Sequence, residues 1–394
     1  MFADNYIQRN QVQVEIPVPP HPGLGMVVVI PCYHEPDILL TLQSVADCQH
    51  PACHVEVIVL INHSESESEA VKAENFHTRQ IINDWIEKQK HEQIKFYVIG
   101  PVNLKKKWAG AGLARKKGMD EAVVRFNHID NPDGIIISLD ADTLVERNYL
   151  KEIENYYRLN TSHAGATISF NHQVDGLSNR HLQGIRLYEK YMDYYKSALG
   201  YTGYPYAMFT VGSAFTVRAW GYVKRGGMNR RKAGEDFYFL QNLVQVGTVG
   251  EISSTVVHPS ARLSDRVPFG TGPLLQKWLE GKEDMTITYN FDAFIDLKVF
   301  FDVVESLYGI SLNQYNKLLD EMPLPVHSFL KDTGFWHDLE TLNRNCASLS
   351  SFVPRFYHTF NAFRILKFLN YTHELYYKKT DLVTQLSRLN KVSI

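Results

Sequence analysis

Ile135-Ile136-Ile137-Ser138-Leu139-Asp140-Ala141-Asp142 is an apolar run that ends in two carboxylates with one small residue between them. A short, wholly apolar strand is expected where both faces of a sheet are covered. Two acids at the end of such a strand repel each other unless a cation offsets the charge. A hard divalent cation takes oxygen ligands of this kind. The stretch therefore predicts a rigid strand that lifts Asp140 and Asp142 to a sheet edge, where they handle a diphosphate through Mg²⁺ or Mn²⁺.

Upstream, the same texture repeats. Residues 26–30, 55–61 and 94–99 are apolar and predict strands, while 35–47, 64–90 and 111–126 predict helices, with Ser64 or Ser66 as a cap ahead of Glu67 and Glu69. Repeated strand–helix units imply a mainly parallel sheet with right-handed crossovers. Ligands of such sheets sit at the carboxyl ends of the strands. Residues 31–35, 62–64, 100–103 and 140–142 all fall on that edge. After Tyr149 the pattern predicts strands at 164–170, 207–217 and 248–257 and helices at 179–199 and 237–245. Beyond Phe291 it is helical, with interruptions at Pro323, Pro325 and Pro354. The expected fold class is α/β, a Rossmann-like, mainly parallel sheet with flanking helices plus a helical C-terminal region. Pro17, Pro19, Pro20 and Pro22 favour an extended arm over residues 1–25.

Size and composition bound the partners. A chain of 394 residues is ordinary for about two to three domains. A net charge of −2 gives no basic face for nucleic acid. Cys32, Cys48, Cys53 and Cys346 form no CxxC pair, which fits a reducing compartment. No apolar stretch reaches the ~18 residues of a membrane span, and Met1-Phe2-Ala3-Asp4 does not open like a signal peptide. The expectation is a cytoplasmic protein, with peripheral contact to the inner face of the membrane left open.

Two more segments can carry chemistry. Gly234-Glu235-Asp236-Phe237 follows a basic, glycine-containing loop, 224–232, and opens a helix. A carboxylate there can act as general base toward an acceptor hydroxyl; the plainer reading is helix-start acidity favoured by the macrodipole. Residues 105–118, Lys-Lys-Lys-Trp-Ala-Gly-Ala-Gly-Leu-Ala-Arg-Lys-Lys-Gly, lead into another helix. Its glycines allow close backbone approach and its N-terminus attracts phosphate; the plainer reading is an exposed basic helix start. Gly110-x-Gly112 lacks the third glycine of a dinucleotide fingerprint.

In order and spacing these residues resemble the family 2 glycosyltransferases of the GT-A fold. Val28-Val29-Ile30-Pro31-Cys32-Tyr33-His34-Glu35 looks like the family's first strand, Glu56–Leu60 like its second, 110–118 like its Gly/Ala-Arg helix, and Asp140-Ala141-Asp142 like its metal motif. Phe215-x-Val217-Arg218, Gly226-Gly227 and Gly234-Glu235-Asp236 follow as in its acceptor half. The resemblance covers about residues 26–260. It implies an inverting, nucleotide-sugar-dependent transfer by a GT-A domain over 26–285, divided into a nucleotide-binding half (26–145) and an acceptor half (146–285), with a helical region at 286–394.

By the same resemblance Asp236 is the catalytic base and Glu235 its neighbour orienting the acceptor. Asp142 is the principal metal ligand, with Asp140 and His258 beside it. Pro31, Tyr33, Glu35, Asn62, Gly110, Arg115, Asp140 and Ala141 bind the nucleotide-sugar. Residues 262–272 form a loop over the diphosphate carrying Arg262 and Arg266. The chain departs from the family pattern at Asn62, where an Asp usually reads the base, and at His34, where Asn is common. It lacks the QxxRW signature of processive synthases.

The expected function is a metal-dependent, non-processive glycosyltransferase using Mn²⁺ or Mg²⁺. The donor is a UDP-sugar in preference to a GDP-sugar, and the acceptor a glycan, lipid-linked or small-molecule hydroxyl in cell-surface glycan or glycolipid synthesis. A sugar-1-phosphate nucleotidyltransferase would need a Gly-rich, Arg-containing loop after the first strand, which 31–37 is not. The alternative of another class is a catalytically silent nucleotide-sugar-binding scaffold. Apolar stripes at Phe300, Phe301, Leu307 and Tyr308, and at Phe356, Tyr357, Phe360, Phe363 and Leu366, are expected to pack within their own domain. A homo-oligomer interface, a shallow membrane contact or a lid over the acceptor is the lesser alternative.

Overall fold

The computed structural model describes residues 1–231, 234–263 and 270–392. Their contacts divide into two compact units: Met1–Gly176 with Thr210–Pro273, and Leu177–Phe209 with the chain from Leu274 onward.

The first unit is built on an eight-stranded sheet. Its strands are β1 (Leu24–Cys32), β2 (His54–Ser64), β3 (Ile94–Leu104), β4 (Ile135–Ser138), β5 (Leu144–Val145), β6 (Gly165–Phe170), β7 (Phe215–Arg218) and β8 (Val249–His258). They lie in the order β3-β2-β1-β4-β7-β6-β8-β5. β1 to β4 are parallel, β7 runs antiparallel between β4 and β6, and β6 is parallel to β8. This is the expected α/β fold of the GT-A kind, a mixed and mostly parallel sheet with flanking helices. β1, β2 and β4 are buried almost throughout, as their unbroken apolar sequences require.

Register brings the predicted edge together. Cys32 pairs with Ile61, and Ser138 lies beside both Val29 of β1 and Phe215 of β7. The chain leaving β1, the acid pair leaving β4 and the turn entering β7 therefore emerge side by side.

The helix Ala111–His128 packs tightly over β1. At Gly118 a Cβ would come within 2.4 Å of Val29 Cγ1, so only glycine allows that approach. Lys105, Lys106 and Lys107 ahead of the helix are exposed, as the plainer reading has it, but the helix itself is not an exposed basic surface. Arg115, Lys116, Asp120, Glu121 and Arg125 are all buried in it. Each has local partners, such as Arg125 on Glu56 and Lys116 on Asp120.

Several expectations need correction. Residues 4–10 form a helix, not part of an extended arm, because the proline run starts only at Pro17. Tyr6 docks that helix by donating to Asp120 Oδ1 at 2.6 Å. The cap of the helix Glu69–Lys88 is Ser68, not Ser64 or Ser66, since β2 continues to Ser64. The strand predicted over 207–217 is confined to Phe215–Arg218, because Val211–Ala214 makes a turn closed by Ala214 N to Val211 O at 2.9 Å.

The second unit is mainly helical and has its own aromatic core. Phe300, Phe335, Phe356 and Phe360 surround one another at centroid separations of 5.4 to 6.1 Å. Phe300, Phe301, Leu307, Phe356 and Phe360 are buried, so these stripes pack inside their own unit. Its prolines are less disruptive than expected. Pro325 stands at the start of the helix Leu324–Asp332, where no backbone donor is needed, and Pro354 sits within Leu349–Thr359. Among the described residues, no helix is long and apolar enough to cross a membrane.

Candidate active site

Arg115, one turn into the helix Ala111–His128, joins three parts of the first unit. It is 2 % exposed. Its Nε donates to Ser138 Oγ at 3.0 Å, Nη1 to Glu235 Oε1 at 2.7 Å and Nη2 to Asp140 Oδ1 at 2.5 Å. Ser138 Oγ in turn donates to the carbonyl of Gly212 at 2.6 Å. Two glycines make room for this. A Cβ at Gly212 would lie 2.8 Å from Arg115 Nη2, and one at Gly112 would lie 2.0 Å from the carbonyl oxygen of Arg231. Glu235 opens the helix Glu235–Leu243, and Asp236 follows in its first turn with Oδ1 accepting from the Phe237 amide at 2.7 Å. The fan of a guanidinium suits this work, because its donors diverge in one plane.

A second guanidinium organises the other side. Arg262 grips buried Glu35 with both Nη atoms, Nη1 to Oε1 at 2.7 Å, and its Nη2 also lies 3.0 Å from Asp142 Oδ2. Gln173 Nε2 donates to the carbonyls of Asp142 and His258, at 2.9 and 2.7 Å, so His258 stands beside the acid turn. Its ring is turned to other partners: Nδ1 pairs with the Asn171 carbonyl and Nε2 with Glu146 Oε1, both at 2.9 Å.

The remaining predicted residues line the carboxyl edge. Pro31 is buried at the end of β1, and the Tyr33 hydroxyl donates to Glu67 Oε2 at 2.9 Å. His34 takes φ +48°. Its amide donates to Asn75 Oδ1 at 3.0 Å, while Asn75 Nδ2 donates to the carbonyl of Asn62 at 3.2 Å. Asn62 is buried near the end of β2. Ala141 presents its carbonyl to Thr41 Oγ1 at 2.9 Å. Gly110 precedes the helix of Arg115 and accepts from Ala114 N at 3.2 Å. Arg266 lies outside the described residues. Sequence reasoning missed Asn75, which holds the β1 and β2 exits together. A single polar residue in a long helix reads as solvated, and no periodicity marks it.

Charge is concentrated here. Burial, reinforced by neighbouring Asp140 and only partly offset by Arg262, pushes the Asp142 carboxyl up to about 7. Burial also raises Glu235 against the pull of Arg115, and it raises Asp236, with Glu235 adding to the effect. Among the described residues, Glu35, Asp140, Asp142 and Glu235 share the guanidiniums of Arg115 and Arg262, with Asp236 next to Glu235, so carboxyl groups outnumber guanidiniums here. The donors are hard oxygens and the Asp140 and Asp142 side chains are 36 and 25 % exposed, so the set fits Mg²⁺ or Mn²⁺. Among the described residues, no group of three or more His, Cys, Asp or Glu is placed to hold a metal ion. A cation here would draw further ligands from water and phosphate, as Mg²⁺ commonly does. Buried Thr143 Oγ1 and Ser213 Oγ, next in sequence to Asp142 and Gly212, have no hydrogen-bond partner among the described residues. That is unused polar capacity of the kind a ligand or water takes up.

No protein-family model matches the chain, and no curated protein matches it by sequence. Among solved structures it is similar to S. aureus TarS 1–349, at 13 % identity and TM-score 0.39 over 75 % of this chain and 78 % of that one. The complex of TarS 1–349 with UDP-GlcNAc gives 13 % identity and TM-score 0.41 over 75 and 79 %. S. aureus TarS gives 12 % identity and TM-score 0.40 over 89 % of this chain and 55 % of that one. Likeness at this level says nothing about substrate or mechanism.

Proposed function

We propose that the chain is an inverting, metal-dependent glycosyltransferase of the family 2 kind, moving a sugar from a nucleotide-diphosphate donor to an acceptor hydroxyl. The observation that carries this reading is Arg115, which holds the strand-edge Asp140 and the helix-start Glu235 on one side chain. A donor-binding acid and an acceptor-binding acid pair are thereby kept at fixed separation, as a single displacement needs.

In this reading Asp236 takes the proton of the acceptor hydroxyl, whose oxygen attacks the anomeric carbon as the bond to the diphosphate breaks. The bonding electrons leave with the phosphate oxygen, and one displacement inverts the centre. Its burial and the nearby Glu235 make Asp236 a stronger base than an ordinary carboxylate. Glu235, fixed by Arg115, orients the acceptor. Asp140 and Asp142 hold the Mn²⁺ or Mg²⁺, which when bound supplies electrostatic stabilisation of the leaving diphosphate. Asn62 presents both a donor and an acceptor and can pair with the edge of uracil or of guanine; a UDP-sugar is the favoured donor, with a GDP-sugar the alternative. The acceptor is a glycan, lipid-linked or small-molecule hydroxyl of cell-surface synthesis, reached in the cytoplasm or at the inner membrane face.

The test is a thermal-shift panel of UDP-, GDP-, dTDP- and CMP-sugars with and without Mn²⁺, followed by Asp236→Asn. An enzyme of this kind gains stability with one nucleotide-sugar in the presence of Mn²⁺. Asp236→Asn then keeps that shift and loses transfer by about 10²–10⁴-fold. Donor binding with no transfer by the parent protein, toward any acceptor hydroxyl offered, would favour the silent scaffold. No shift with any sugar would sink both readings.

A further inference from the structure

We propose that Arg262 is a built-in competitor of the divalent cation at Asp142, anchored by Glu35, and that the nucleotide diphosphate relieves the competition. The inference rests on the metal-dependent reading above. Three charged groups meet at one nitrogen: Arg262 Nη2 serves the Glu35 carboxylate and also lies 3.0 Å from Asp142 Oδ2.

The two contacts are unequal in kind. The grip on Glu35 is two-pronged, with Nη1 on Oε1 at 2.7 Å and Nη2 on the other oxygen, and that carboxyl is 2 % exposed. Pulling a cation away from a buried carboxylate is a large loss. The contact with Asp142 is single, through an already shared nitrogen, between side chains 32 and 25 % exposed. A one-pronged contact through a shared nitrogen is the weaker and more exchangeable of the two. Asp142 is thus the partner that Arg262 releases, while Glu35 keeps the guanidinium at the site.

A guanidinium on Asp142 Oδ2 screens the negative charge that would draw a cation there. The metal alone must displace it and is bound weakly. A nucleotide diphosphate offers Arg262 a new anion within reach, since Glu35 holds it beside the acid turn. Displacement then carries little penalty, so metal and diphosphate strengthen each other's binding. By linkage that coupling is reciprocal. Arg262 also keeps the acid turn partly neutralised when neither ligand is present.

The test is Mn²⁺ binding, read from the spin-resonance signal of free Mn²⁺ over the full chain, alone and with UDP or GDP, whichever raises melting in the panel. Arg262→Gln is expected to tighten Mn²⁺ binding without nucleotide by about tenfold, and to reduce the further gain that the nucleotide brings. Arg262→Lys, charged but unable to grip Glu35 with two prongs, is expected to lie between; it carries the test if Arg262→Gln does not fold by circular dichroism. Asp142→Asn should abolish binding in every background. Equal Mn²⁺ affinity and equal nucleotide response in parent and Arg262 variants, with binding still lost in Asp142→Asn, would overturn the competition and leave the metal reading standing. No Mn²⁺ bound by any variant, with or without nucleotide, would overturn both.

Discussion

Arg115 Nη1 lies 2.7 Å from Glu235 Oε1, across 120 residues of sequence, while Nη2 of the same side chain lies 2.5 Å from Asp140 Oδ1. One buried guanidinium therefore sets the separation between the end of β4 and the start of the helix Glu235–Leu243. Glu235, with its side chain 7 % exposed, could not stay charged there without a cation nearby, and the part-exposed Asp140 is held by the same guanidinium.

Replacing Arg115 separates its charge from its geometry. Lysine supplies one point charge and cannot reach Ser138, Asp140 and Glu235 together. Arg115→Lys is expected to lower kcat/KM by about 10²-fold, a misplacement of the reacting groups of the order that costs this much. Arg115→Met leaves both carboxylates without their cation and should destabilise the unit by about 3 kcal/mol. Melting curves and steady-state kinetics on both variants check this. Parent-like rates in Arg115→Lys would remove the positioning role.

What the sequence made legible was local. The unbroken apolar runs of β1, β2 and β4 and the acids following β4 are adjacent in the chain, and parallel topology alone puts their ends on one edge. What it hid was long-range pairing. Arg262 and Glu35 are 227 residues apart, and nothing in composition or periodicity says that they meet. The same holds for Asn75, which bonds the exits of β1 and β2, and for Tyr6, whose hydroxyl reaches Asp120 from a helix obscured by the prolines after it. Leu144–Val145 is too short to carry a strand pattern and exists because β8 lies alongside it. The family resemblance marks Arg115 as a ligand-binding residue; its three protein acceptors come into view only in the folded chain.

Acid pH should move activity and stability in opposite directions. Asp236 works as a base only when deprotonated, and its carboxyl is raised by burial and by Glu235, so transfer should fall as pH drops from neutral, well before the ordinary carboxylate range. Asp142, raised to about 7, keeps its proton in the folded state at pH values where the unfolded chain has lost it. Between about pH 4 and 7 the folded state thus binds more protons, and this group's contribution to stability declines as pH rises. The slope is at most about 1.4 kcal/mol per pH unit for one group. Asp142→Asn should flatten it, leaving the variant relatively more stable than the parent at pH 8 than at pH 5. Denaturant midpoints at those two pH values decide the matter; an unchanged difference would mean that Asp142 ionises freely.

Gly112 tests whether the helix start and the loop before Glu235 must touch. A Cβ added there would lie 2.0 Å from the Arg231 carbonyl oxygen and 3.1 Å from Glu235 Cβ. The first obstacle is backbone and cannot rotate away, so Gly112→Ala must push the loop or the helix aside. Overpacking of this kind costs about 1–3 kcal/mol. The displacement falls on Glu235 and therefore on Asp236, whereas Asp140 and Asp142 hang from β4 and stay where they are. The expected result is a modest loss of thermal stability, a kcat reduced by about tenfold or more, and nucleotide and Mn²⁺ binding close to the parent's. If kcat and ligand binding fell together, the helix would have moved instead of the loop, and the two carboxylate sites could not be uncoupled at this position.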